Sequence, residues 1–195
     1  GAKIKFADID PETFNISINH VKKLITKKTK AIVFVNYGGL PCNLKELSII
    51  AKKNKLVLIQ DAAQSLGATY NKKCITAFAD FTIFSFQAIK QISSGDGGML
   101  VFKNRKILEK AKRIRWFGIK EIGYKYQMTD IGAALLLESI KEFTQIASHR
   151  KLIFNTYKKI LSKNKNVTVV DSVDGKGHVH WLFTILVNKK DYLQK

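Results

Sequence analysis

An aspartate and a lysine are the first candidates for chemistry, because each follows an apolar segment of strand length. Asp61 comes directly after the run at 56–60, and Lys90 comes shortly after the run at 81–86. In open α/β sheets, ligands bind outside the carboxyl ends of the strands. Asp61 and Lys90 are therefore predicted to face one ligand site at the same edge of a sheet.

A carboxylate and an amine at such an edge suit one kind of cofactor. A buried carboxylate is costly unless a cation pairs with it, and the protonated pyridine nitrogen of pyridoxal 5'-phosphate (PLP) is such a cation. A partly desolvated lysine amine can form a Schiff base. Ser85, at the end of the second strand, can donate a hydrogen bond to a phosphate. Together, Asp61, Ser85 and Lys90 predict a PLP site.

Taken singly, each of these features has a simpler explanation. An aspartate after a strand is often a helix cap, Lys90 is one of many lysines, and the glycine-rich segment at 95–98 is of a kind that usually forms a turn. The argument for a site therefore depends on the order and spacing of Asp61 and Lys90, both at strand ends of one sheet. A third segment, 123–130, opens a long helix and places Asp130 in its first turn, where an acidic residue suits the helix dipole.

The elements that must position these residues alternate along the chain. Apolar runs at 31–35, 56–60, 81–86 and 99–102 predict strands, and residues 2–9 predict another. The runs at 31–35 and 56–60 show no polar alternation, which is typical of parallel strands buried on both faces. Between them, residues 44–54 predict a helix with Asn43 and Glu46 as a capping box.

The character of the chain changes after residue 103. We predict a basic amphipathic helix at 104–115, one long helix or two at 129–161, and short strands at 167–170 and 181–187. This pattern predicts a large PLP-binding α/β domain at 1–127, a connecting long-helix region at 128–163 and the start of a small C-terminal domain at 164–195. Because the chain opens in a predicted strand and stops where a helix would begin, we expect a longer protein, with sequence missing at both ends.

Composition narrows the class of protein. The 195 residues are 46% hydrophobic, which predicts a globular chain. The net charge of +19 makes a basic nucleic-acid-binding module an alternative, but the positive residues are scattered and almost all lysine, whereas phosphate and base recognition favours arginine. No run is long and apolar enough to span a membrane. We therefore expect a cytoplasmic protein with no membrane or nucleic-acid partner, whose Cys42 and Cys74 are reduced thiols.

On these motifs the chain resembles the DegT/DnrJ/EryC1/StrS family, PLP-dependent aminotransferases that act on nucleotide-linked keto sugars. The family pattern of Glu-Asp-Ala-Ala-Gln, Ser-Phe-x-x-x-Lys and Thr-Gly-Glu-Gly-Gly is similar to the residues at 60–64, 85–90 and 94–98. The resemblance extends from about Phe6 to about Val187. It implies the aspartate-aminotransferase type of fold (fold type I), and a homodimer with its active sites at the subunit interface.

The resemblance also implies a role for individual residues. Lys90 would hold PLP as a Schiff base and later move protons, Asp61 would pair with the pyridine nitrogen, Gln64 would contact the phenolic oxygen, and Ser85 would contact the phosphate. Family members carry Asn-Tyr-Arg where this chain has Lys125-Tyr126-Gln127. Lys125 would then reach the phosphate of the partner subunit's cofactor.

The implied activity is transfer of an amino group, from L-glutamate, to a keto group of a nucleotide-linked (deoxy)sugar. Such reactions belong to surface-polysaccharide, lipopolysaccharide or natural-product sugar biosynthesis. Dehydratases of the same family are the alternative, but they carry histidine where this chain has Lys90, so the lysine favours transamination. His178 and His180 are expected to point into solvent and not to bind a metal, although the resemblance places their segment beside the sugar site.

Overall fold

The structure is a computed structural model that describes residues 1–116, 122–172 and 175–188. Its helices are α1 (Ile18–Leu24), α2 (Leu44–Lys53), α3 (Arg105–Arg115), α4 (Asp130–Lys141) and α5 (Phe143–Leu161). Its strands are β1 (Ala31–Val35), β2 (Val57–Asp61), β3 (Thr69–Tyr70), β4 (Lys73–Cys74), β5 (Phe81–Ser85), β6 (Gly98–Phe102), β7 (Val167–Val169), β8 (Lys176–Gly177) and β9 (Ile185–Val187). Single 3-10 turns lie at Tyr37–Gly39 and Ile75–Ala77.

The main sheet has the order β1-β2-β5-β6. Strands β1, β2 and β5 are parallel, and β6 returns antiparallel to β5 through the glycine-rich loop. The prediction of a mostly parallel sheet is confirmed. In the register of this sheet Asp61 lies between Val35 of β1 and Ile83 of β5, so the carboxyl ends of three strands meet at one edge.

Helix α2 covers one face of the sheet, as its sequence predicts. Asn43 accepts a hydrogen bond from the Glu46 backbone N–H, which is the N-cap half of the predicted capping box, and the Glu46 carboxylate accepts from the Asn43 side-chain amide instead of the Asn43 backbone N–H. The apolar stripe of the helix, Leu44, Leu47, Ile50 and Ala51, is buried in the same core as Phe34 and Leu58 of the sheet. This packing fixes β1 and β2 beneath the site.

The opposite face of the sheet is open, so the prediction that β1 and β2 are buried on both faces is wrong. Exposure alternates along both strands, and Val33 is 61% exposed while Ile83 on β5 is 41% exposed. The apolar side chains of β1 therefore lie in two different environments: alternate residues are buried in the core, and the others are exposed on the open face. Helices α1 and α2 supply buried residues to the core on one side, and no described element covers the other.

The prediction of a strand at 2–9 also differs from the structure. Residues 2–9 form no strand: only Ile9 makes a single bridge, to Ile16, and Phe6 is 86% exposed. An alternating segment becomes a strand only when a partner strand supplies its hydrogen bonds, and among the described residues none runs beside this one. Of the two alternatives predicted for 129–161, one long helix or two, the structure has two helices, which meet at Glu142.

Short strands connect the described residues that follow α5 to the rest of the structure. Strand β8 pairs with β3, with Gly177 opposite Thr69, and β7 pairs with β9. The segment between β8 and β9 is thereby held near the carboxyl edge of the main sheet. The division at 127/128 and 163/164 stays a prediction. None of the helices in the described ranges combines the length and apolarity needed to cross a bilayer.

Candidate cofactor site

Asp61 is the last residue of β2 and lies on the open face of the sheet, at its carboxyl edge. Its Oδ1 accepts a hydrogen bond from the Ala63 backbone N–H at 2.9 Å, which begins the turn that leaves the strand. Its Oδ2 makes no hydrogen bond to any other described residue. The carboxylate is thus held in place by one oxygen, and the other is free to accept from a cationic N–H donor.

Gln64 lies in the turn that Asp61 begins. Its Oε1 accepts a hydrogen bond from the Gly38 backbone N–H at 2.7 Å. Because a backbone N–H can only donate, this contact identifies the oxygen end of the amide. The Nε2 end is then the one left to donate to a ligand, as a contact with a phenolic oxygen would require.

A buried amide ties this turn to the end of β1. The side chain of Asn36 is fully buried, donates to Ser65 Oγ at 3.0 Å and accepts from the Cys42 backbone N–H at 3.0 Å. The Asn36 backbone N–H also donates to the Asp61 carbonyl. Two chain segments that both end at the sheet edge are therefore held in one network. Both cysteines are free, and burial raises the pKa of the Cys42 thiol to about 12.

Ser85 lies two residues beyond Ile83, the partner of Asp61, on the same face of the sheet. Its Oγ accepts a long hydrogen bond, 3.4 Å, from the Gln87 backbone N–H, and its hydroxyl hydrogen can turn toward a ligand. The loop that follows is closed by bonds from Phe86 N to the Gly97 carbonyl and from Ser94 N to the Phe86 carbonyl. The structure therefore brings Asp61, Gln64 and Ser85 to one edge.

Lys90 lies in this loop, in a turn closed by its backbone N–H and the Gln87 carbonyl. Its Nζ lies 4.4 Å from the centre of the Trp181 ring, a cation–π contact, and its side chain is partly buried. The sequence did not indicate Trp181 as part of the site. A lone tryptophan before a strand looks like any core residue, and only the fold shows that it meets Lys90.

The segment that carries Trp181 packs on the turn after β1. The backbone N–H groups of Val179 and Leu182 donate to the carbonyls of Gly39 and Gly38 respectively. Gly39 has φ of +94°, and a Cβ there would lie only 2.9 Å from Val179 Cγ2. Glycine is therefore needed at this position, both for the backbone conformation and for the close approach.

The two histidines of this segment do not point into solvent, so that prediction is wrong. Both rings pack on Phe154, with centroid distances of 5.6 Å for His178 and 4.1 Å for His180. His178 Nε2 donates to the Gly38 carbonyl at 3.2 Å. Burial lowers the pKa of both imidazoles, that of His180 to about 4, so both are neutral at pH 7. Among the described residues there is no group of three or more His, Cys, Asp or Glu that could hold a metal ion.

Lys125 stands apart from the other predicted site residues. It is exposed and forms an isolated bridge with Trp116, while the Tyr124 and Tyr126 rings on either side stack at 5.1 Å. No hydrogen bond joins Lys125 to Asp61, Gln64, Ser85 or Lys90. Lys125 is predicted to contact the cofactor of a partner subunit. This prediction requires Lys125 to lie apart from the other predicted site residues of its own chain.

The side chains at the sheet edge fit PLP by their chemistry. Asp61 has a free carboxylate oxygen for a protonated ring nitrogen, and Gln64 has a fixed amide with its donor end available. Ser85 offers a hydroxyl, and Lys90 offers an amine that no described carboxylate pairs with. Each of the four groups that the cofactor presents has a matching partner.

Comparison with known proteins supports this interpretation. The model of the DegT/DnrJ/EryC1/StrS aminotransferase family matches residues 1–195. GDP-perosamine synthase of Escherichia coli O157:H7 is 32% identical over 95% of this chain and 53% of that protein. The chain thus spans about half the length of the curated relatives it matches.

Solved structures agree in fold. PseC of Helicobacter pylori, an aminotransferase involved in the biosynthesis of pseudoaminic acid, superposes with a TM-score of 0.91 at 30% identity, covering 97% of this chain and 53% of that one. The PLP form of Spr1654, a putative sugar aminotransferase of Streptococcus pneumoniae, superposes with a TM-score of 0.87 at 25% identity, covering 93% and 54%. The predicted fold type I is confirmed.

Proposed function

Because the chain belongs to the DegT/DnrJ/EryC1/StrS aminotransferase family, whose members use PLP, we propose that this protein transfers an amino group to a keto group of a nucleotide-linked sugar. The observation that carries the proposal is the meeting of Asp61, Gln64 and Ser85 at the edge of one sheet, with Lys90 in the loop that follows. This set supplies an anion, an amide donor and a hydroxyl at one edge of the sheet, and an amine in the loop that follows.

When bound, PLP supplies an electron sink that stabilises negative charge on the carbon next to the amino group. Asp61 would hold the ring nitrogen through its free Oδ2, while its Oδ1 accepts from the Ala63 N–H. Gln64 would orient the ring by donating from Nε2, since Gly38 holds the other end of its amide. Ser85 would hold the phosphate with its hydroxyl hydrogen.

Lys90 has two roles in this proposal. Its Nζ would hold the cofactor covalently, and the same amine would act as the general base that takes a proton from the carbon of the amino donor and returns it during transfer. The location of Lys90 in a loop suits both roles, because the side chain can withdraw without disturbing the strands that hold Asp61 and Ser85. The resemblance favours L-glutamate as the amino donor.

The proposal extends to the assembly and the setting of the protein. We infer a homodimer in which Lys125 reaches the cofactor phosphate of the partner subunit, since its exposed position lies apart from the other four residues. The names of GDP-perosamine synthase and PseC support a role in sugar biosynthesis. We propose that the pathway makes surface sugars and that the protein acts in the cytoplasm. A family dehydratase is the alternative function, and the lysine at position 90 argues against it.

Product analysis separates these two activities. Full-length protein is incubated with PLP, 15N-labelled L-glutamate and a set of 4-keto-6-deoxy sugars linked to GDP, UDP or TDP, and the nucleotide sugars are analysed by mass spectrometry. Transamination gives a product that carries the 15N atom, with 2-oxoglutarate released in equal amount. A product that has lost water and gained no nitrogen would show a dehydratase instead. The Lys90→Ala variant gives neither product.

A further inference from the structure

We propose that Trp181 is a positioning residue for Lys90: its indole face holds the Lys90 ammonium at the site whenever the lysine is not attached to the cofactor. This inference rests on the proposed function, because it concerns the lysine that the function uses. It assigns a role to a residue of the segment that the resemblance placed beside the sugar site. It also gives a functional reason for the contact between Trp181, which lies between β8 and β9, and the loop after β5.

The contact itself has the geometry of a cation–π pair. Lys90 Nζ lies 4.4 Å from the centre of the Trp181 ring, and tryptophan is the aromatic side chain that attracts a cation most strongly. No carboxylate among the described residues forms an ion pair with Lys90. The indole ring is therefore the group that gives this ammonium a defined position, and four rotatable bonds would otherwise spread it over several ångströms.

The position of the indole is set by backbone contacts on both sides of it. Val179 N and Leu182 N donate to the Gly39 and Gly38 carbonyls, and the Trp181 carbonyl accepts from Arg150 Nη1 at 3.3 Å. A Cβ on Gly39 would lie 3.1 Å from the backbone nitrogen of Trp181. These contacts hold the segment without using the ring, so its face is available to Lys90.

The lysine loop is also tied directly to this segment. Gln91, the neighbour of Lys90, is buried and donates from Nε2 to the Val179 carbonyl at 2.9 Å. The Gln91 side chain thus joins the backbone segments that carry Lys90 and Trp181, and the side chains of those two residues contact each other. The two backbone segments are therefore held within reach of each other, which keeps the ring accessible to the amine.

One turn then controls two parts of the site. The Gly38 N–H fixes the amide of Gln64, and the Gly38 carbonyl accepts from Leu182 N beside the tryptophan. The N–H and the carbonyl of one residue, Gly38, therefore hold Gln64 and the segment that carries the Trp181 indole. A released lysine that rests on Trp181 as an ammonium stays close to the groups that hold the cofactor, and it attaches again only after its proton has passed to water.

The test measures how fast PLP attaches to the full-length protein from which cofactor has been removed. PLP is added, samples are reduced with borohydride at intervals, and the adduct on Lys90 is counted by mass spectrometry. The ammonium on the ring must first lose its proton to water, because only the neutral amine attacks PLP, so the ring contact slows attachment. Trp181→Met keeps volume but lacks a ring, and is expected to speed attachment roughly three- to tenfold, the range of a cation–π contact. Trp181→Phe keeps a ring and is expected to stay within about twofold of the native rate.

A matched control separates positioning from packing. Phe183→Leu removes an aromatic ring from the same segment, one that packs on Phe154 at 5.2 Å and not on Lys90. It is expected to lower the melting temperature and leave the attachment rate unchanged. If Trp181→Met does not fold, the same comparison is made between Trp181→Phe and Trp181→Leu.

The possible failures are distinguishable. Attachment to Lys90 at the native rate in the ringless variants would overturn the role of Trp181 and leave the proposed function intact. An adduct on another lysine in the native protein would overturn the proposed function itself. Equal acceleration in Trp181→Phe and Trp181→Met would also contradict the inference, because a ring would then make no difference.

Discussion

The side-chain oxygen of Gln64 accepts a hydrogen bond from the backbone N–H of Gly38, 2.7 Å away. The two residues come from turns that follow neighbouring parallel strands, β1 and β2. The contact orients an amide whose other end faces the site, and it depends on a turn in which Gly38 and Gly39 both have positive φ. The candidate site is therefore supported by the backbone of β1 as much as by the residues of β2.

Gln64→Glu tests the orientation of this amide. The substitution replaces the Nε2 donor with a carboxylate oxygen, so the hydrogen bond to the cofactor's phenolic oxygen is lost and like charges face each other. We expect PLP to bind roughly tenfold or more weakly, the effect of about 1.4 kcal/mol or more, as measured by absorbance titration. Gln145→Glu, on the exposed side of α5, is the control and should bind as the native protein does. Equal affinity in Gln64→Glu would show that Nε2 is not a cofactor contact.

Gly39→Ala tests the close approach of the Trp181 segment. Alanine at this position meets both a positive φ, +94°, and a Cβ contact of 2.9 Å with Val179. Gly95→Ala is a matched control, since its φ is +79° but its Cβ would have no atom within 4 Å. We expect Gly95→Ala to cost about 1–2 kcal/mol in free energy of unfolding and Gly39→Ala to cost about 2–4 kcal/mol. Equal losses in urea unfolding would mean that the close approach contributes nothing.

Asn36→Leu tests the buried network between β1 and β2. The substitution leaves the Cys42 N–H and the Ser65 hydroxyl without their partner in a fully buried place. Each such group costs about 1–3 kcal/mol, so we expect a loss of about 2–5 kcal/mol in free energy of unfolding. Asn155→Leu, exposed on α5, serves as the control. A loss below about 1 kcal/mol would show that the network relaxes or fills with water.

The stability of the protein should fall in mild acid. Burial first, and then His178 and Lys151, lower the pKa of His180 to about 4 from its ordinary 6.5, against the opposite effect of Asp171. Between these values the unfolded chain binds a proton that the folded chain does not, so stability decreases as pH falls from 6.5 to 4 and is level above 6.5. Since His180 is only partly buried, we expect a melting temperature only about 2–4 °C lower at pH 5 than at pH 7.

His180→Asn checks the origin of this dependence. Asparagine does not titrate and tolerates the positive φ of this position, 52°, so the variant should lose part of the decrease between pH 6.5 and pH 4. His149→Asn, on α5, should keep it. An unchanged pH dependence in His180→Asn would assign the effect to other groups.

The parts of the fold that sequence alone predicted are those fixed by local pattern. Helix α2 was predicted from its capping residues Asn43 and Glu46 and its apolar spacing, and Asp61 was placed at a strand end by the apolar run before it. The open face of β1 could not be predicted in this way. A run such as 31–35 is apolar whether or not something covers its second face, and exposure depends on elements far away in the chain.

The site shows the same division between local and distant information. Asp61, Gln64, Ser85 and Lys90 each belong to a short motif, so the sequence indicated them before the fold was known. Trp181 belongs to no such motif. Its contact with Lys90 joins two residues that α4 and α5 separate in the sequence. The packing of the His178–His180 pair on Phe154 was missed for the same reason.

The measurement that tests the central claim most directly is the location of the covalent cofactor. Full-length protein is saturated with PLP, reduced with borohydride, digested and analysed by mass spectrometry, beside the Lys90→Ala variant and a Lys52→Ala control. We predict one adduct per chain, on Lys90, in the native protein and the control, and none in Lys90→Ala. An adduct on another lysine, or a stoichiometric adduct that persists in Lys90→Ala, would contradict the account.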